Sequence, residues 1–109
     1  MRVYALATCD TCRKALTALR ESGRTPTVID VRKDGLEADV IAETVARFGP
    51  AAINRASTTW RGLDDEARAL PPETLLARHP LLLKRPLVID GDTWTIGWKA
   101  DAQAAHLGG

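Results

Sequence analysis

The fold is decided by residues 2–31, which read RVYALATCDTCRKALTALRESGRTPTVIDV. Residues 2–7 form a short apolar run that is typical of a buried strand. Residues 10–22 follow the spacing of an amphipathic helix, with apolar side chains at Cys12, Ala15, Leu16 and Leu19. Residues 27–31 (TVIDV) then have the composition of a second strand. A strand, a helix and a strand in so short a segment predict a parallel pair with a right-handed crossover.

The middle of the chain is predicted to be helical. A second helix is expected over residues 36–48, with one apolar face formed by Leu36, Val40, Ile41, Val45 and Phe48. Residues 51–70 are less regular, and their polar, basic part at residues 54–61 is interpreted as a loop. A short helix is predicted to open near Pro72 and to end at Pro80, because proline is favoured in a first helical turn and excluded from later ones.

The last third of the chain contains a hairpin signal. Residues 87–89 and 93–98 are strand-like, and an Asp-Gly pair at 90–91 lies between them. Asp-Gly between two such runs is a strong indication of a tight turn between antiparallel strands. Residues 99–107 are predicted to form a terminal helix.

The element order is therefore β-α-β, a helical stretch, then β-β-α. This order predicts an α/β, thioredoxin-like fold: a four-stranded mixed sheet with flanking helices and a helical insertion between the two halves. We expect one domain over residues 1–109, with the insertion at about residues 35–80.

Composition limits the function classes. Hydrophobic residues make up 45% and charged residues 27% of the chain, as in ordinary globular proteins. The formal net charge of +1 disfavours direct binding to nucleic acid or to an anionic membrane surface. No apolar run approaches the roughly 20 residues that a membrane span requires, and the N-terminal run is too short for a signal peptide core. We expect a cytoplasmic protein.

The two cysteines of the chain lie at residues 9–12 (CDTC). A single C-x-x-C beside a βαβ pattern predicts a redox site. Cys9 is predicted to lie where the first strand ends and the helix begins, and the positive end of a helix favours a thiolate. Arg13 and Lys14 add positive charge nearby. We expect Cys9 to be the nucleophile and Cys12 to be the resolving thiol.

Two other interpretations of the cysteines are weighed. Cys12 can instead be a buried structural residue, with Cys9 working alone. A zinc site requires four ligands, and the remaining histidines, His79 and His106, are far apart in sequence, so no metal is expected. His79 is interpreted as a helix-end residue and His106 as a solvated one.

Several separated motifs resemble the arsenate reductase ArsC/Spx family, and most closely its small YffB-like members. The motifs are CDTCRKA at 9–15, NR at 54–55, TTWRGL at 58–63, HP at 79–80 and KRPLV at 84–88. Together they cover nearly the whole chain. The resemblance implies a thioredoxin-like fold with a helical insertion and a cysteine-based activity.

The resemblance also implies an anion site. In arsenate reductases of this family a cysteine attacks arsenate, glutathione and glutaredoxin resolve the adduct, and three arginines bind the oxyanion. The cysteine matches Cys9, the first arginine matches Arg55, with Arg61 as the alternative in another register, and the second matches Arg85. The third position is occupied here by Trp98, which argues against arsenate as the substrate.

Arg85 and Pro86 complete the predicted binding set for an oxyanion or for glutathione, together with Arg13 and Arg55. An arginine in the extended segment before a proline can hold a carboxylate with two hydrogen bonds. By resemblance, Pro86 matches the proline that is cis in thioredoxin-like folds. The three tryptophans are interpreted as core or cleft wall rather than as chemical groups: Trp60, Trp94 and Trp98.

The sequence therefore favours a thiol–disulfide reductase of the ArsC/YffB type, linked to glutathione or glutaredoxin. Glutathione is expected as a co-substrate, with no bound cofactor. One alternative is an Spx-like redox-sensing regulator that binds the RNA polymerase α subunit, although no basic extension follows the last predicted helix. A true arsenate reductase is another alternative, and a non-catalytic member that retains the cysteines is a third.

Overall fold

The computed structural model describes residues 1–108 and contains a four-stranded mixed sheet. The strands are β1 (Arg2–Ala5), β2 (Thr27–Asp30), β3 (Leu87–Asp90) and β4 (Thr93–Ile96). They lie in the order β2-β1-β3-β4. β1 is parallel to β2 and antiparallel to β3, and β3 is antiparallel to β4. The predicted fold class is confirmed.

The central strand β1 has a hydrogen-bonded neighbour on each side, and its residues after Arg2 are buried. Val3 lies opposite Val28 of β2 and Val88 of β3. Val3 and Val88 are fully buried, whereas Val28, on the edge strand, is 43% exposed. Residues 4–6 continue the buried stretch that begins at Val3, as expected of a strand covered on both faces.

Two helices belong to the same unit as the sheet: α1 (Asp10–Glu21) and α7 (Ala100–Leu107). α1 buries Cys12, Ala15 and Leu19, the face that the apolar spacing predicts. It ends before Gly23, whose φ of 91° is a conformation that glycine adopts without strain. In the described residues 1–108, no helix is long and apolar enough to cross a bilayer.

The chain divides into two compact units. The first comprises Met1–Val31 and the chain from Arg85 onward, and the second comprises Arg32–Lys84. The sequence-based expectation of one domain with an insertion at about residues 35–80 stays a prediction.

The second unit is built from short helices. They are α2 (Val31–Asp34), which begins at the unit boundary, α3 (Ala38–Phe48), α4 (Thr58–Arg61), α5 (Asp65–Arg68) and α6 (Pro72–Arg78), with 3₁₀ turns at Gly49–Ala52 and Pro80–Leu82. The loop interpretation of residues 54–61 is wrong over α4, and α5 lies in the part of residues 51–70 for which the sequence predicts no element. Ser57 and Asp64 cap these two helices through their side chains, which stabilises single turns that have no apolar periodicity.

The second unit has its own apolar interior. α3 buries Val40 and Ile41, and α6 buries Leu75 and Leu76. Thr44 is the buried polar residue of α3, and its hydroxyl donates to the Val40 carbonyl at 2.7 Å. The hydroxyl is therefore satisfied inside the helix that carries it.

Candidate functional site

Cys9 is the N-cap residue of α1. Its backbone is extended, with φ −90° and ψ 114°, and its Sγ accepts a hydrogen bond from the Cys12 N–H at 3.2 Å. The Cys9 carbonyl accepts from the Arg13 N–H, which begins the helical bonding. A sulfur in this position occupies the place that a serine or aspartate oxygen takes in an ordinary cap. The N–H donor and the helix dipole both stabilise negative charge on it.

Cys12 is held as a neutral thiol. It is 1% exposed, inside a cluster formed with Val3, Leu19 and Val88. Burial, and secondarily a hydrogen bond with Cys9, raises the pKa of the Cys12 thiol to about 12. A backbone hydrogen bond from Leu6 and the charge of Arg85 act in the opposite direction but are outweighed.

The cysteines are therefore adjacent but not equivalent. Cys9 is partly exposed and Cys12 is buried, and both are free thiols. The solvent-accessible sulfur lies at the helix end, and the hidden sulfur lies within hydrogen-bonding reach of it. This arrangement fits a nucleophile with a second thiol behind it.

Arg85 and Pro86 lie in the same unit as the cysteines, directly before β3. The Arg85–Pro86 peptide bond is cis, as the family resemblance implies. Pro86 is fully buried, and its carbonyl accepts from the Gly97 N–H at 3.0 Å. Arg85 is partly buried, and its charge acts on the thiol of Cys12.

Arg13 is exposed on α1 and pairs with Asp10, three residues earlier. Both side chains are largely in water, so this pair contributes little to stability. The positive charge of Arg13, which was expected to act on Cys9, is therefore partly neutralised by Asp10 of the same helix.

An apolar cavity of about 100 Å³ lies beside the cysteine helix. Cys12 and Leu16 contribute to its wall, and the charged residues Arg13 and Asp30 also line it. The cavity lies at the carboxyl ends of the parallel strands β1 and β2, the end at which α/β proteins bind ligands.

Arg55 lies in the second unit, between Asn54 and the cap residue of α4. The Asn54 side chain accepts from the Ala56 N–H at 3.1 Å, which fixes the turn around Arg55. The Arg55 guanidinium carbon lies 5.3 Å from the centre of the Trp60 ring. Trp60 therefore contacts an arginine predicted to bind anions. Arg61, the alternative arginine, instead donates to the Ala56 carbonyl at 3.1 Å.

Trp98 is the residue that, by the family resemblance, replaces the third arginine. It is partly buried against the core cluster that contains Cys12, and Gln103 donates to its carbonyl at 3.0 Å. The neighbouring Lys99 is exposed and is the N-cap residue of α7. The interpretation of Trp98 as core or wall agrees with this packing.

The two histidines are interpreted from sequence as a helix-end residue and a solvated residue, and the second interpretation is wrong. His79 ends α6, as predicted. His106 is not solvated: it is 2% exposed, and its Nε2 lies 2.9 Å from the Thr95 hydroxyl oxygen. Burial foremost lowers the pKa of His106, and Arg24 acts in the same direction, whereas Asp90 opposes them. In residues 1–108, no group of three or more His, Cys, Asp or Glu side chains is arranged to hold a metal ion.

Comparison with known proteins agrees with this geometry. The model of the ArsC family matches residues 4–105, almost the full length of the chain. The chain belongs to the ArsC family. Membership supports a thiol-based reductase at the level of the family.

Relatives within and around the ArsC family cover the chain almost completely. The solved structure of a YffB protein is 32% identical, covers 97% of each chain and superposes with a TM-score of 0.89. An arsenate reductase (ArsC) related protein from Brucella melitensis is 28% identical, with coverage of 96% of this chain and 92% of that one and a TM-score of 0.70. An uncharacterised protein of Haemophilus influenzae is 34% identical over 94% of this chain and 96% of its own length.

Proposed function

We propose that this ArsC-family protein is a cytoplasmic thiol–disulfide reductase linked to glutathione or glutaredoxin. One observation carries the proposal: the Cys9 sulfur caps α1 and accepts an N–H at 3.2 Å, while the Cys12 thiol stays protonated next to it. Cys9 is therefore suited to be the attacking thiolate, and Cys12 to be the thiol that reacts second.

The proposed reaction is a two-electron exchange. The Cys9 thiolate attacks a mixed disulfide between glutathione and a substrate thiol, forms a new S–S bond and releases the substrate as its thiolate. Cys12 then loses its proton, attacks the Cys9 sulfur and releases the glutathione thiolate. The substrate disulfide is reduced, and the cysteine pair is oxidised to an intramolecular disulfide. Two external thiols, from glutathione or glutaredoxin, return the pair to its reduced state.

The resistance of Cys12 to ionisation sets a condition on the second step. While Cys9 carries negative charge, the Cys12 proton is held by burial and by its hydrogen bond to that sulfur. Once Cys9 is in a disulfide its negative charge is gone, so one cause of the raised pKa disappears. The Cys12 thiol therefore ionises more easily after the first step than before it.

The anion-binding residues of the proposal are Arg55 and Arg85. Each is proposed to hold a carboxylate of glutathione, since a guanidinium fork matches a carboxylate with two hydrogen bonds. The charge that Arg85 exerts on Cys12 supports a role near the sulfur chemistry. Arg13 is a weaker candidate because it already pairs with Asp10.

The deciding experiment compares substrates. Purified protein is assayed for reduction of a glutathione mixed disulfide and of arsenate, with and without glutaredoxin. We expect turnover of the mixed disulfide and little or none of arsenate, because Trp98 stands where the third oxyanion arginine of the family lies. Each missing charge-assisted hydrogen bond costs about 1.5–3 kcal/mol, roughly tenfold or more in affinity. Robust arsenate reduction would favour the arsenate reductase alternative instead.

The role of Cys12 is tested separately by Cys12→Ser. We expect this variant to accumulate glutathione on Cys9 as a mixed disulfide, detectable by intact mass, because no resolving thiol remains. Cys9→Ser is the matched control and should carry no adduct. If Cys12→Ser turns over at the rate of the natural protein, external glutathione resolves the adduct and Cys12 is structural.

A further inference from the structure

Two arginines contact the same tryptophan in the second unit. The guanidinium carbon of Arg55 lies 5.3 Å from the centre of the Trp60 ring, and that of Arg68 lies 5.7 Å from it. Both distances are within the range of a cation–π interaction. The indole therefore links an arginine already considered for anion binding to a second one.

Arg68 is anchored firmly. Its Nε donates to the Trp60 carbonyl at 3.3 Å, and its Nη2 donates to the Arg61 carbonyl at 3.2 Å. Its Nη1 lies 3.9 Å from a carboxylate oxygen of Asp65. All three nitrogens of this guanidinium thus have a polar neighbour on α4 or α5, and Arg68 braces the helix turn that carries Trp60.

Trp60 is itself fixed through the start of α4. The Ser57 hydroxyl accepts the Trp60 N–H at 3.1 Å and donates to the Asn54 carbonyl at 2.9 Å. The backbone on both sides of Arg55 is thereby tied to the backbone of Trp60. The ring has a defined position relative to the arginine that stacks on it.

Arg55 differs from Arg68 in what its hydrogen-bond donors do. In the described part of the chain, the Arg55 side chain makes no hydrogen bond or ion pair, and its recorded contact is with the ring of Trp60. An arginine attracted to a ring is held without using its N–H donors. Five donors of Arg55 therefore remain for a ligand, in the planar fork that matches a carboxylate.

We propose that Trp60 and Arg68 are positioning residues, which hold the Arg55 guanidinium ready for a carboxylate of the substrate. The proposal rests on the proposed function only in assigning Arg55 to the substrate. An exposed arginine normally loses side-chain conformational entropy when it binds a ligand. The contact with the ring already restricts the Arg55 side chain, so less entropy is lost on binding. Arg68 acts through the backbone of the turn that carries Trp60, because its own donors are already used there.

The first test is kinetic and uses glutathione mixed disulfide as the substrate. Trp60→Leu removes the ring, and we expect KM to rise about tenfold with kcat unchanged, because the ring acts on binding and not on sulfur chemistry. Trp60→Phe keeps a π face and should recover most of the affinity. Arg68→Gln should raise KM about threefold, and Arg68→Lys should lie between it and the natural protein.

The matched control is Arg78→Gln, which removes an exposed positive charge from the same unit without touching Trp60. We expect its KM to equal that of the natural protein. If KM rose as much in Arg78→Gln as in Arg68→Gln, the loss of one positive charge would explain both results, and the positioning role would be wrong. Far-UV circular dichroism establishes that each variant is folded, and Trp60→Phe carries the test if Trp60→Leu is not.

The second test needs no enzyme activity. The Nε–Hε NMR signal of Arg55 is titrated with reduced glutathione and, separately, with inorganic sulfate. We expect glutathione to shift the signal in the natural protein and at about tenfold higher concentration in Trp60→Leu. A shift without reductase activity would leave the positioning role standing while the proposed function fails. No shift with either ligand, or identical titrations in both proteins, would overturn the proposal.

Discussion

The two units of the molecule hold their candidate functional groups by different means. In the first unit, regular backbone structure places the two thiols: Cys9 lies at a helix N-terminus and Cys12 is buried against the sheet. In the second unit, side-chain contacts place the arginine: Arg55 lies over the Trp60 ring, and Ser57 caps α4, the short helix that carries Trp60. Substitutions near the sulfurs are therefore expected to change ionisation and reactivity. Substitutions around the arginine are expected to change affinity and local stability.

The largest expected effect tests whether the first unit really separates its two thiols. At neutral pH, limiting iodoacetamide should label Cys9 well before Cys12. A thiol with a pKa of about 12 has about three orders of magnitude less thiolate than a free thiol near 8.5. The greater nucleophilicity of a more basic thiolate recovers part of this, which leaves Cys12 roughly a hundredfold slower than free thiol. Mass spectrometry of the peptides measures the order.

Two controls sharpen the alkylation experiment. In urea the two cysteines should react at similar rates, because burial is lost. In Cys9→Ser, Cys12 should react somewhat faster than in the natural protein, since one cause of its raised pKa is removed, but burial should keep it slow. Equal labelling of both thiols in the folded protein would abolish the distinction between them.

An intermediate effect concerns pH and belongs to the first unit alone. His106 is buried as a neutral ring, and burial lowers its pKa below the unfolded value of about 6.5. Above pH 6.5 the ring is neutral in both states and stability does not depend on it. As pH falls below 6.5 the unfolded chain takes up the proton first, so the free energy of unfolding falls until the folded pKa is reached. The slope is at most about 1.4 kcal/mol per pH unit.

Urea unfolding between pH 5.5 and 8 measures this slope. His106→Gln is the matched variant, because an amide can still meet the Thr95 hydroxyl but does not titrate. Its free energy of unfolding should vary less over this range than that of the natural protein. An unchanged pH dependence in the variant would show that other groups control acid stability.

The smallest expected effect lies in the second unit. Ser57→Ala removes the side-chain acceptor of the Trp60 N–H, and loss of such a cap costs about 1 kcal/mol. Asp64→Ala removes the corresponding cap of α5 and should cost a similar amount. Ser57→Ala should also weaken ligand binding more than Asp64→Ala, because Ser57 bonds the Trp60 N–H directly, whereas Asp64 acts only through α5, the helix that carries Arg68. Chemical unfolding together with KM for the mixed disulfide separates these two consequences.

The sheet unit was readable from sequence because its signals are periodic or local. Residues 3–7 are apolar without interruption, and α1 repeats its apolar face. Glycine marks the hairpin, although the two turn residues are 91–92 rather than the predicted 90–91. The position of Cys9 at a helix end follows from where those two patterns meet. The cis bond at Pro86 is different, since it was predicted only through family resemblance.

The missed features depend on single side chains. α4 and α5 are four residues each, too short for periodicity, and their clearest sequence signals are the caps Ser57 and Asp64. Burial of His106 depends on its pairing with Thr95 from another element, and the alanine-rich sequence of α7 has no distinct apolar stripe to reveal it. The contact between Arg68 and Trp60 depends on side-chain rotamers, which sequence spacing does not specify.

The position of β1 in the sheet also has a consequence for how the protein is made. β1 is synthesised before β3, yet it lies between β2 and β3 in the sheet, and β3 begins only at Leu87. The edge of β1 that pairs with β3 therefore stays unpaired while Arg32–Lys84 is synthesised. That stretch is contiguous and has its own apolar interior. During that interval the wall that later buries Cys12 is incomplete, since Val88 has not been added. The burial that raises the pKa of the Cys12 thiol is therefore complete only after β3 has been made, late in synthesis.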